Sequence, residues 1–294
     1  MTRGKIFRIR LPSGTLVLGK RTLVMGVLNV TPDSFSDGGK FLQPETAIEQ
    51  AFALERAGAD LLDIGGESTR PGSAETPASQ ELDRILPVLE ALRGRLKIPV
   101  SVDTRRVTVA ELALRAGAQI INDVSGLKSD PRVAEVAAHG HVPLILMHMR
   151  GEPRTMQNGP FARDVVKDVM QGLRESVALA RKAGVAKSQI ILDPGVGFGK
   201  SYAQNYELLQ KLAQLAKLGY PLLVGSSRKG FLGATLAREG KPTPPEERIW
   251  GTAATVTASI LSGAHIVRVH DVAEMVQVVR VADCLLDPRL APKN

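Results

Sequence analysis

The chain has 294 residues, of which 44% are hydrophobic and 23% charged, values typical of a globular protein. This balance excludes disordered, collagen-like and coiled-coil chains, and an aromatic content of only 4% means that the core must be aliphatic. The 38 basic residues outnumber the 30 acidic ones, and the resulting net charge of +8 favours anionic partners.

The first element is a short alternation of apolar and polar residues over 5–20, with a Pro-Ser-Gly turn at 12–14. Alternation with period two is typical of a β-strand, and the turn in its middle predicts a β-hairpin. Because the hairpin precedes the main pattern, we expect it to plug or flank the domain that follows.

From Leu23 onward the chain repeats one unit, a short apolar run followed by a polar loop and a longer amphipathic stretch. Continuous apolar runs are typical of parallel strands buried on both faces. Eight such runs predict strands at 23–30, 60–64, 98–102, 119–121, 142–147, 189–192, 221–224 and 265–269.

Eight amphipathic stretches predict helices at 45–57, 78–95, 107–116, 132–138, 161–183, 206–218, 246–262 and 272–283. Five glycines follow these helices and are expected to form left-handed caps: Gly58, Gly117, Gly140, Gly184 and Gly263. Eight βα units predict an α/β fold, closed into a (β/α)8 TIM barrel. The alternative is an open doubly wound sheet, which needs fewer strands and usually carries a glycine-rich first turn that is not seen here.

No linker or change of composition divides the chain. We therefore expect a single domain over 1–294, with the hairpin at about 1–20 and the barrel at about 21–284.

Cellular context is indicated by what the sequence lacks. Cys284 is the only cysteine, so no intramolecular disulfide forms, and this favours a reducing compartment. No signal-like run precedes residue 20, and no apolar stretch reaches the roughly 18 residues of a membrane span. We expect a cytoplasmic protein without a membrane partner. Basic residues rarely neighbour aromatic ones, so no nucleic-acid partner is expected either.

The predicted strands all end in polar or charged residues, at the edge where TIM barrels place their active sites. Helix capping explains an isolated Ser, Thr, Asp or Asn at such positions. It does not explain Arg70, Lys229, Arg268 and His270.

Sorting these groups by chemistry predicts a polarised barrel mouth. Asp103, Asn122 and Asp193 supply acceptors on the third, fourth and sixth barrel strands. Such acceptors suit a planar ligand edge with several N–H groups. The donors, on the second, seventh and eighth strands, are Arg70, Lys229, Arg268 and His270. They suit a phosphate, which TIM barrels usually bind near the last two strands.

Several familiar motifs fail on inspection. The string Gly-Val-Gly-Phe-Gly-Lys-Ser at 195–201 resembles a P-loop, but Pro194 occupies the position of its first glycine. His139 and His141 have no cysteine nearby, so no zinc site is expected. His148 is compatible with either a catalytic or a structural role.

Taken together, the strings at the strand ends closely resemble dihydropteroate synthases. The match runs in order from Leu23 to about Asp283, nearly the whole chain, and its two long strings are the most specific part. The strings are NVTPDSFSDGG at 29–39, GGESTRPG at 65–72, SVDT at 101–104, INDV at 121–124, DPGVGFGK at 193–200, SRK at 227–229 and RVHDV at 268–272.

The resemblance implies a TIM barrel that condenses 6-hydroxymethyl-7,8-dihydropterin diphosphate with 4-aminobenzoate. The products are 7,8-dihydropteroate and diphosphate, in folate synthesis. It also implies a homodimer and Mg²⁺ as cofactor, with Asn29 similar to the magnesium ligand of the family.

Three groups of substrate-binding residues follow from the resemblance. The pterin set is Asp103, Asn122, Asp193 and Lys229, with Met147 against the ring. The diphosphate set is Asn29, Thr69, Arg70, Arg268 and His270. The aminobenzoate wall is Phe35, Pro71, Phe198 and Lys229. The residues expected to act in catalysis are Asp103, Asp193, Lys229, Arg268 and His270.

One position departs from the family pattern. Many relatives carry serine directly after the Ser-Arg-Lys lysine, at the aminobenzoate carboxylate, whereas this chain has Gly230. A carboxylate contact through a side-chain hydroxyl is therefore not expected here.

The residues also support a dissociative displacement of diphosphate without a covalent enzyme intermediate. Arg70, Arg268, His270 and Mg²⁺ would stabilise the departing anion, while Asp103 and Asp193 would stabilise the pterin cation. The loops at 31–41 and 67–76 are predicted to act as lids over the second substrate.

Two other functions are compatible with parts of the pattern. A pterin-binding methyltransferase working with a corrinoid protein would share the acceptors, and a catalytically silent pterin-binding homologue would share the fold. The donors on the diphosphate side have no purpose in methyl transfer, and the complete donor set argues against a silent homologue.

Overall fold

The computed structural model describes residues 5–31, 44–68, 75–152 and 155–292. An N-terminal antiparallel hairpin is followed by eight parallel strands. The hairpin strands are β1 (Phe7–Leu11) and β2 (Gly14–Leu18). The parallel strands are β3 (Leu23–Asn29), β4 (Leu61–Gly65), β5 (Val100–Asp103), β6 (Ile120–Asp123), β7 (Leu144–Met147), β8 (Ile190–Asp193), β9 (Leu223–Val224) and β10 (Ile266–Val269).

These parallel strands close into a barrel. Their order is β8-β7-β6-β5-β4-β3-β10-β9, so neighbours along the chain are also neighbours in the sheet. A parallel bridge between Leu192 and Leu222 joins β8 to the segment before β9, where the Leu192 N–H donates to the Pro221 carbonyl at 3.0 Å. The predicted TIM barrel is confirmed, and the open sheet is excluded.

Helices follow the strands on the outside of the barrel. They are α1 (Pro44–Arg56), α2 (Ala78–Leu92), α3 (Val107–Ala116), α4 (Val133–His139), α5 (Val165–Lys182), α6 (Tyr202–Gln210), α7 (Gly230–Thr235), α8 (Ile249–Leu261) and α9 (Val272–Leu286). Across the described ranges, none of them combines the length and apolar character that crossing a membrane requires.

Two helix predictions need correction. The helix expected at 206–218 begins earlier, because Ser201 and Gln204 form a reciprocal capping box, and it continues after Gln210 as a 3-10 helix over Leu212–Leu218. The six-residue helix α7 was not predicted, since one and a half turns are too short to show a periodic pattern.

Four of the five glycine caps are confirmed. The glycines with φ between 96° and 118° are Gly58, Gly117, Gly184 and Gly263. The prediction for Gly140 is wrong, because its φ is −75° and its N–H still donates to the Val136 carbonyl in helical fashion. The left-handed residue there is His141, with φ 51°.

The hairpin plugs the amino-terminal end of the barrel. Ile9 and Leu18 are buried in one apolar cluster with Leu23, Leu61 and Ile120, which are the first residues of their strands. A separate, larger cluster fills the space between strands and helices. With one end closed by side chains, the carboxyl ends of the strands form the open mouth of the barrel.

Candidate active site

A cavity of about 810 Å³ opens at the carboxyl ends of the strands. Its volume is within the range of small-molecule sites. Six of the residues predicted from the sequence line it: Asn29, Asp103, Phe198, Lys229, Arg268 and His270. Residues from β3, β5 and β10 and from the loops after β8 and β9 thus meet in one place, as the strand-end pattern predicts.

The acceptors on neighbouring strands are held in fixed orientations. Asp103 and Asn122 are paired residues of β5 and β6. One carboxylate oxygen of Asp103, Oδ2, accepts from Arg268 Nη2 at 3.0 Å, and Asn122 Nδ2 donates to Asp63 Oδ2 at 2.9 Å. Within the described part of the chain, the other oxygen of each side chain has no hydrogen-bond partner in the protein.

Asp193 completes this set from β8. Its Oδ1 accepts from the Gly195 N–H at 2.7 Å, which leaves Oδ2 without a partner among the described residues. Burial raises the pKa of Asp193 to about 6, although the Gly195 N–H and the charge of Lys229 oppose the shift. Asp103, Asn122 and Asp193 thus each have one side-chain oxygen without a hydrogen-bond partner among the described residues, and this oxygen is available to a ligand.

Asp103 is subject to stronger opposing influences. Burial and the negative charge of Asp63 raise the pKa of Asp103 to about 8, while the charge of Arg268 opposes this shift. A ligand N–H group that donates to Asp103 would favour its ionised form, because hydrogen bonding to a carboxylate stabilises the charge.

Arg268 reaches from β10 past β3 to carboxylates on β4 and β5. From β10 its Nε donates to Asp63 Oδ2 at 2.7 Å, and its Nη2 donates to Asp103 Oδ2 at 3.0 Å. The expected division of the mouth into an acceptor side and a separate donor side is therefore wrong at this residue. The barrel is narrow enough for one long side chain to cross from β10 to β5.

His270 is a neutral ring in this structure. Its Nδ1 lies 3.0 Å from Ser227 Oγ, which also accepts from the His270 backbone N–H at 3.2 Å. Burial and the positive charges of Arg268, Arg228 and Lys229 lower the pKa of His270 to about 3. At neutral pH the residue thus brings hydrogen-bonding capacity, and no positive charge, to the anion side.

Lys229 and Phe198 form one contact of the predicted aminobenzoate wall. The Lys229 Nζ lies 3.9 Å from the centroid of the Phe198 ring, within the range of a cation–π interaction. Burial and the nearby Arg268 lower the pKa of Lys229 to about 8. Phe198 also shares a small apolar cluster with Met147, so the structure brings these two predicted residues together.

The P-loop-like string at 195–201 holds the loop after β8 against the loop after β7. Its left-handed residues are Gly195, Gly197 and Gly199. A Cβ on Gly195 would overlap the carbonyl oxygen of His148, so the loops after β7 and β8 touch through their backbones. The buried Lys200 Nζ donates to the Phe198 carbonyl at 2.9 Å and the His148 carbonyl at 3.3 Å.

Lys200 also settles the role of His148. Its Nζ lies 3.2 Å from His148 Nδ1, and burial together with the Lys200 charge lowers the pKa of His148 to about 2. His148 is also buried and is not among the residues that line the cavity, which favours the structural role over the catalytic one. Sequence reasoning missed Lys200, although a lysine after three alternating glycines was a visible signal.

Some predicted residues lie outside the described ones: Phe35, Thr69, Arg70 and Pro71. Most of the two predicted lid loops also lies there.

For Mg²⁺, the described ranges contain no cluster of three or more His, Cys, Asp or Glu suited to a metal. The amide oxygen of Asn29 at the cavity wall still fits the ion, because Mg²⁺ usually takes one or two protein ligands together with substrate phosphates and water.

Comparisons with known proteins agree with this geometry. The family model described as "Pterin binding enzyme" matches residues 25–270. The dihydropteroate synthase of Synechocystis sp. is 51% identical over 267 residues, covering 91% of each chain.

Among solved structures, Xanthomonas albilineans dihydropteroate synthase with 4-aminobenzoic acid has a TM-score of 0.88 and 42% identity, covering 98% of this chain and 100% of that one. The Yersinia pestis dihydropteroate synthase with a sulfonamide drug complex also has a TM-score of 0.88, with 43% identity over 95% of this chain and 99% of that one. This chain therefore belongs to the dihydropteroate synthase family of pterin-binding enzymes.

Proposed function

We propose that this protein condenses (7,8-dihydropterin-6-yl)methyl diphosphate with 4-aminobenzoate to form 7,8-dihydropteroate and diphosphate. Family membership supports the reaction class. The observation that carries the proposal is the set of spare acceptor oxygens on Asp103, Asn122 and Asp193. Three preoriented acceptors suit the amino and ring N–H groups of a pterin.

In the first step the bond between the pterin methylene carbon and the diphosphate oxygen breaks, and its electron pair leaves with diphosphate. The positive charge that remains is delocalised over the pterin ring, where Asp103 and Asp193 stabilise it electrostatically. The neutral amine of 4-aminobenzoate then attacks the methylene carbon and loses a proton. No bond to the enzyme forms.

The departing anion is stabilised on the other side of the cavity. We assign this role to Arg70, to the ring N–H of His270 and to Arg268, whose positive charge is shared with two carboxylates. Mg²⁺ held by Asn29 would neutralise part of the diphosphate charge when bound. Thr69 is proposed as a further diphosphate ligand.

The second substrate is proposed to bind against Phe198 and Lys229, with Phe35 and Pro71 completing the wall. Met147 is proposed to pack on the pterin ring, since it shares an apolar cluster with Phe198. The lid loops at 31–41 and 67–76 would then close over the aminobenzoate.

Turnover assays test the proposed function. Release of 7,8-dihydropteroate from the pterin diphosphate, strictly dependent on 4-aminobenzoate, is expected for the synthase. A methyltransferase would instead modify a corrinoid acceptor without aminobenzoate, and a silent homologue would bind the pterin without turnover. Either result would contradict the proposal.

Gly230 gives a direct prediction for the second substrate. A Cβ on Gly230 would meet no atom within 4 Å, and the backbone there does not need glycine. We expect Gly230→Ser to add a hydroxyl donor and lower the KM for 4-aminobenzoate by about 3- to 10-fold, the net effect of one ordinary hydrogen bond. Steady-state kinetics with both substrates measure it.

Gly230→Ala is the matched control, because it adds the Cβ without the hydroxyl. An equal fall in KM for both variants would show that the hydroxyl plays no part. The KM for the pterin diphosphate is expected to stay unchanged in both.

Assembly, domain organisation and location complete the proposal. We propose a homodimer, a single domain over 1–294 and a cytoplasmic protein. On α8, the apolar side chain of Ile260 is fully buried in the barrel packing. The exposed apolar surface lies elsewhere on the two C-terminal helices, where Trp250 is 78% exposed and Val281 and Leu285 are each 64% exposed. Large apolar side chains exposed on these two helices, which pack against each other, support a protein–protein contact.

A further inference from the structure

Asp63 lies beneath the site without lining it. The residue belongs to β4, two positions before the strand ends at Gly65, and its side chain is fully buried. Its Oδ2 accepts from Arg268 Nε at 2.7 Å and from Asn122 Nδ2 at 2.9 Å. One buried oxygen thus holds two of the residues proposed to meet the substrates.

The contact decides which end of the Asn122 amide faces the ligand. An amide carries a donor group and an acceptor oxygen, whereas an ionised carboxylate only accepts. With Asp63 beneath it, Asn122 must point Nδ2 at the carboxylate and turn Oδ1 away from it. A neutral partner at position 63 would accept either orientation of the amide.

Asp63 also fixes the plane of the Arg268 guanidinium. The planar fork of arginine forms directional bonds, and here Nε and Nη2 go to two different carboxylates, Asp63 and Asp103. With both ends held, the guanidinium has little freedom to rotate. Its position relative to the pterin acceptors is therefore set before any ligand binds.

Protein stability does not account for a carboxylate at this position. Asp63 Oδ1 is buried without a hydrogen-bond partner among the described residues, as is the hydroxyl of Ser101, its paired residue on β5. Burying unpaired polar atoms opposes folding, and apolar side chains of similar size would pack here at lower cost. The two hydrogen bonds that Asp63 Oδ2 accepts from Arg268 and Asn122 give this carboxylate a role in the site, whereas the Ser101 hydroxyl makes no such contact among the described residues.

We propose that Asp63 is a positioning residue of the pterin subsite, which orients the Asn122 amide oxygen and the Arg268 guanidinium toward the substrate. This inference rests on the proposed function, because it needs a ligand with N–H donors at that edge. Asp63 acts through its two neighbours and does not touch the pterin.

The first test is Asp63→Asn, with 6-hydroxymethyl-7,8-dihydropterin as the probe in titration calorimetry. The new amide places either a neutral oxygen, which is a weaker acceptor than a carboxylate, or an NH2 group at the point where Arg268 Nε and Asn122 Nδ2 both donate. We expect the Kd of the probe to rise about 10- to 100-fold, the effect of leaving one or two buried polar contacts mismatched. The KM for 4-aminobenzoate is expected to stay within about twofold, since Asp63 does not reach that wall. Ser101→Ala is the matched control at the same depth, and its Kd should equal that of the wild type.

The second test exchanges the two partners, in the double variant Asp63→Asn with Asn122→Asp. The carboxylate then stands at position 122, accepts from the amide at position 63 and still turns an oxygen toward the ligand, whereas Arg268 Nε loses its acceptor at the exchanged atom. We expect the double variant to recover the part of the lost pterin affinity that depends on residue 122, but not the part that depends on Arg268. Recovery of this kind cannot come from a general loss of packing.

Two results would overturn the proposal. One is a folded Asp63→Asn protein with the wild-type Kd for the probe, and the other is a double variant that binds no better than the single one. If Asp63→Asn fails to fold, the exchange variant alone decides, because weak pterin binding by the folded exchange protein contradicts the proposal. Failure of the proposed function would look different, since the wild-type protein would then form no dihydropteroate.

Discussion

Asp193→Asn is expected to lower kcat/KM for the pterin diphosphate by about 10²- to 10³-fold, the usual effect of removing one preorganised electrostatic group. Asp193 is buried, and its Oδ2 is one of the three acceptors offered to the pterin. Asparagine keeps the size of the side chain but loses the negative charge that stabilises the pterin cation. Steady-state kinetics with saturating 4-aminobenzoate measure the loss.

The pH dependence of pterin binding tests whether Asp193 is the titrating group. Burial raises the pKa of Asp193 to about 6, so its ionised fraction falls as the pH drops through that value. In the wild type, pterin affinity should therefore weaken between pH 7 and pH 5, because a protonated carboxyl loses both the charge and an acceptor. In Asp193→Asn the part of this weakening centred near pH 6 should disappear, whereas the contribution of Asp103, whose pKa burial and Asp63 raise to about 8, should remain. A variant that keeps the same acid dependence would show that another group titrates.

Asp123→Asn is the matched control. Asp123 also ends a barrel strand and is fully buried, but its two oxygens accept from Ser125 and from the Leu127 N–H. It acts as a turn cap, the ordinary role of an aspartate at a strand end. We expect lower stability in this variant, with pterin affinity and its pH dependence unchanged.

The barrel itself could be predicted because its local signals agree. Buried parallel strands appear as continuous apolar runs, and all eight predicted runs contain or overlap the observed strands. Errors arose where the local signal was weak or ambiguous. The six residues of α7 carry no period, and the step from α6 into a 3-10 helix at Leu212 leaves the apolar spacing almost unchanged.

The location of the site could be predicted because the fold brings all strand ends to one edge. Asp103, Asn122 and Asp193 follow from that rule alone. Their partners could not be predicted, because these are set by distances across the barrel. Arg268 meets Asp103 across 165 positions of sequence, and no local pattern indicates which carboxylate it reaches.

Charge states were equally beyond sequence reasoning. Burial, together with the positive charges of Arg268, Arg228 and Lys229 around it, keeps the His270 ring neutral, and both depend on the closed barrel. Asp63 was visible in the string before Gly65, but its role depends on being one layer below the mouth, between Asn122 and Arg268. The depth at which Asp63 lies depends on the closure of the barrel, so the sequence of β4 alone does not show it.

Arg268→Met is expected to have the largest effect on stability. The substitution keeps much of the side-chain volume but removes the counter-charge of Asp63, which is fully buried, and of Asp103, whose side chain is 12% exposed. Removing one partner of a buried ion pair typically costs about 3–5 kcal/mol, because the remaining charge is left uncompensated. Urea denaturation should show a loss of that size, and turnover should fall by about 10² or more as the diphosphate side loses its guanidinium.

Two comparison variants separate the contributions. Arg132→Met removes an arginine whose pair with Asp130 lies at the surface, and it should leave stability and turnover unchanged. Asp63→Asn combined with Arg268→Met should recover part of the lost stability, because one of the two uncompensated carboxylates is gone, but none of the turnover. If Arg268→Met unfolds at the wild-type urea concentration, then the two carboxylates do not depend on Arg268 for their charge balance, and the site is not organised around it.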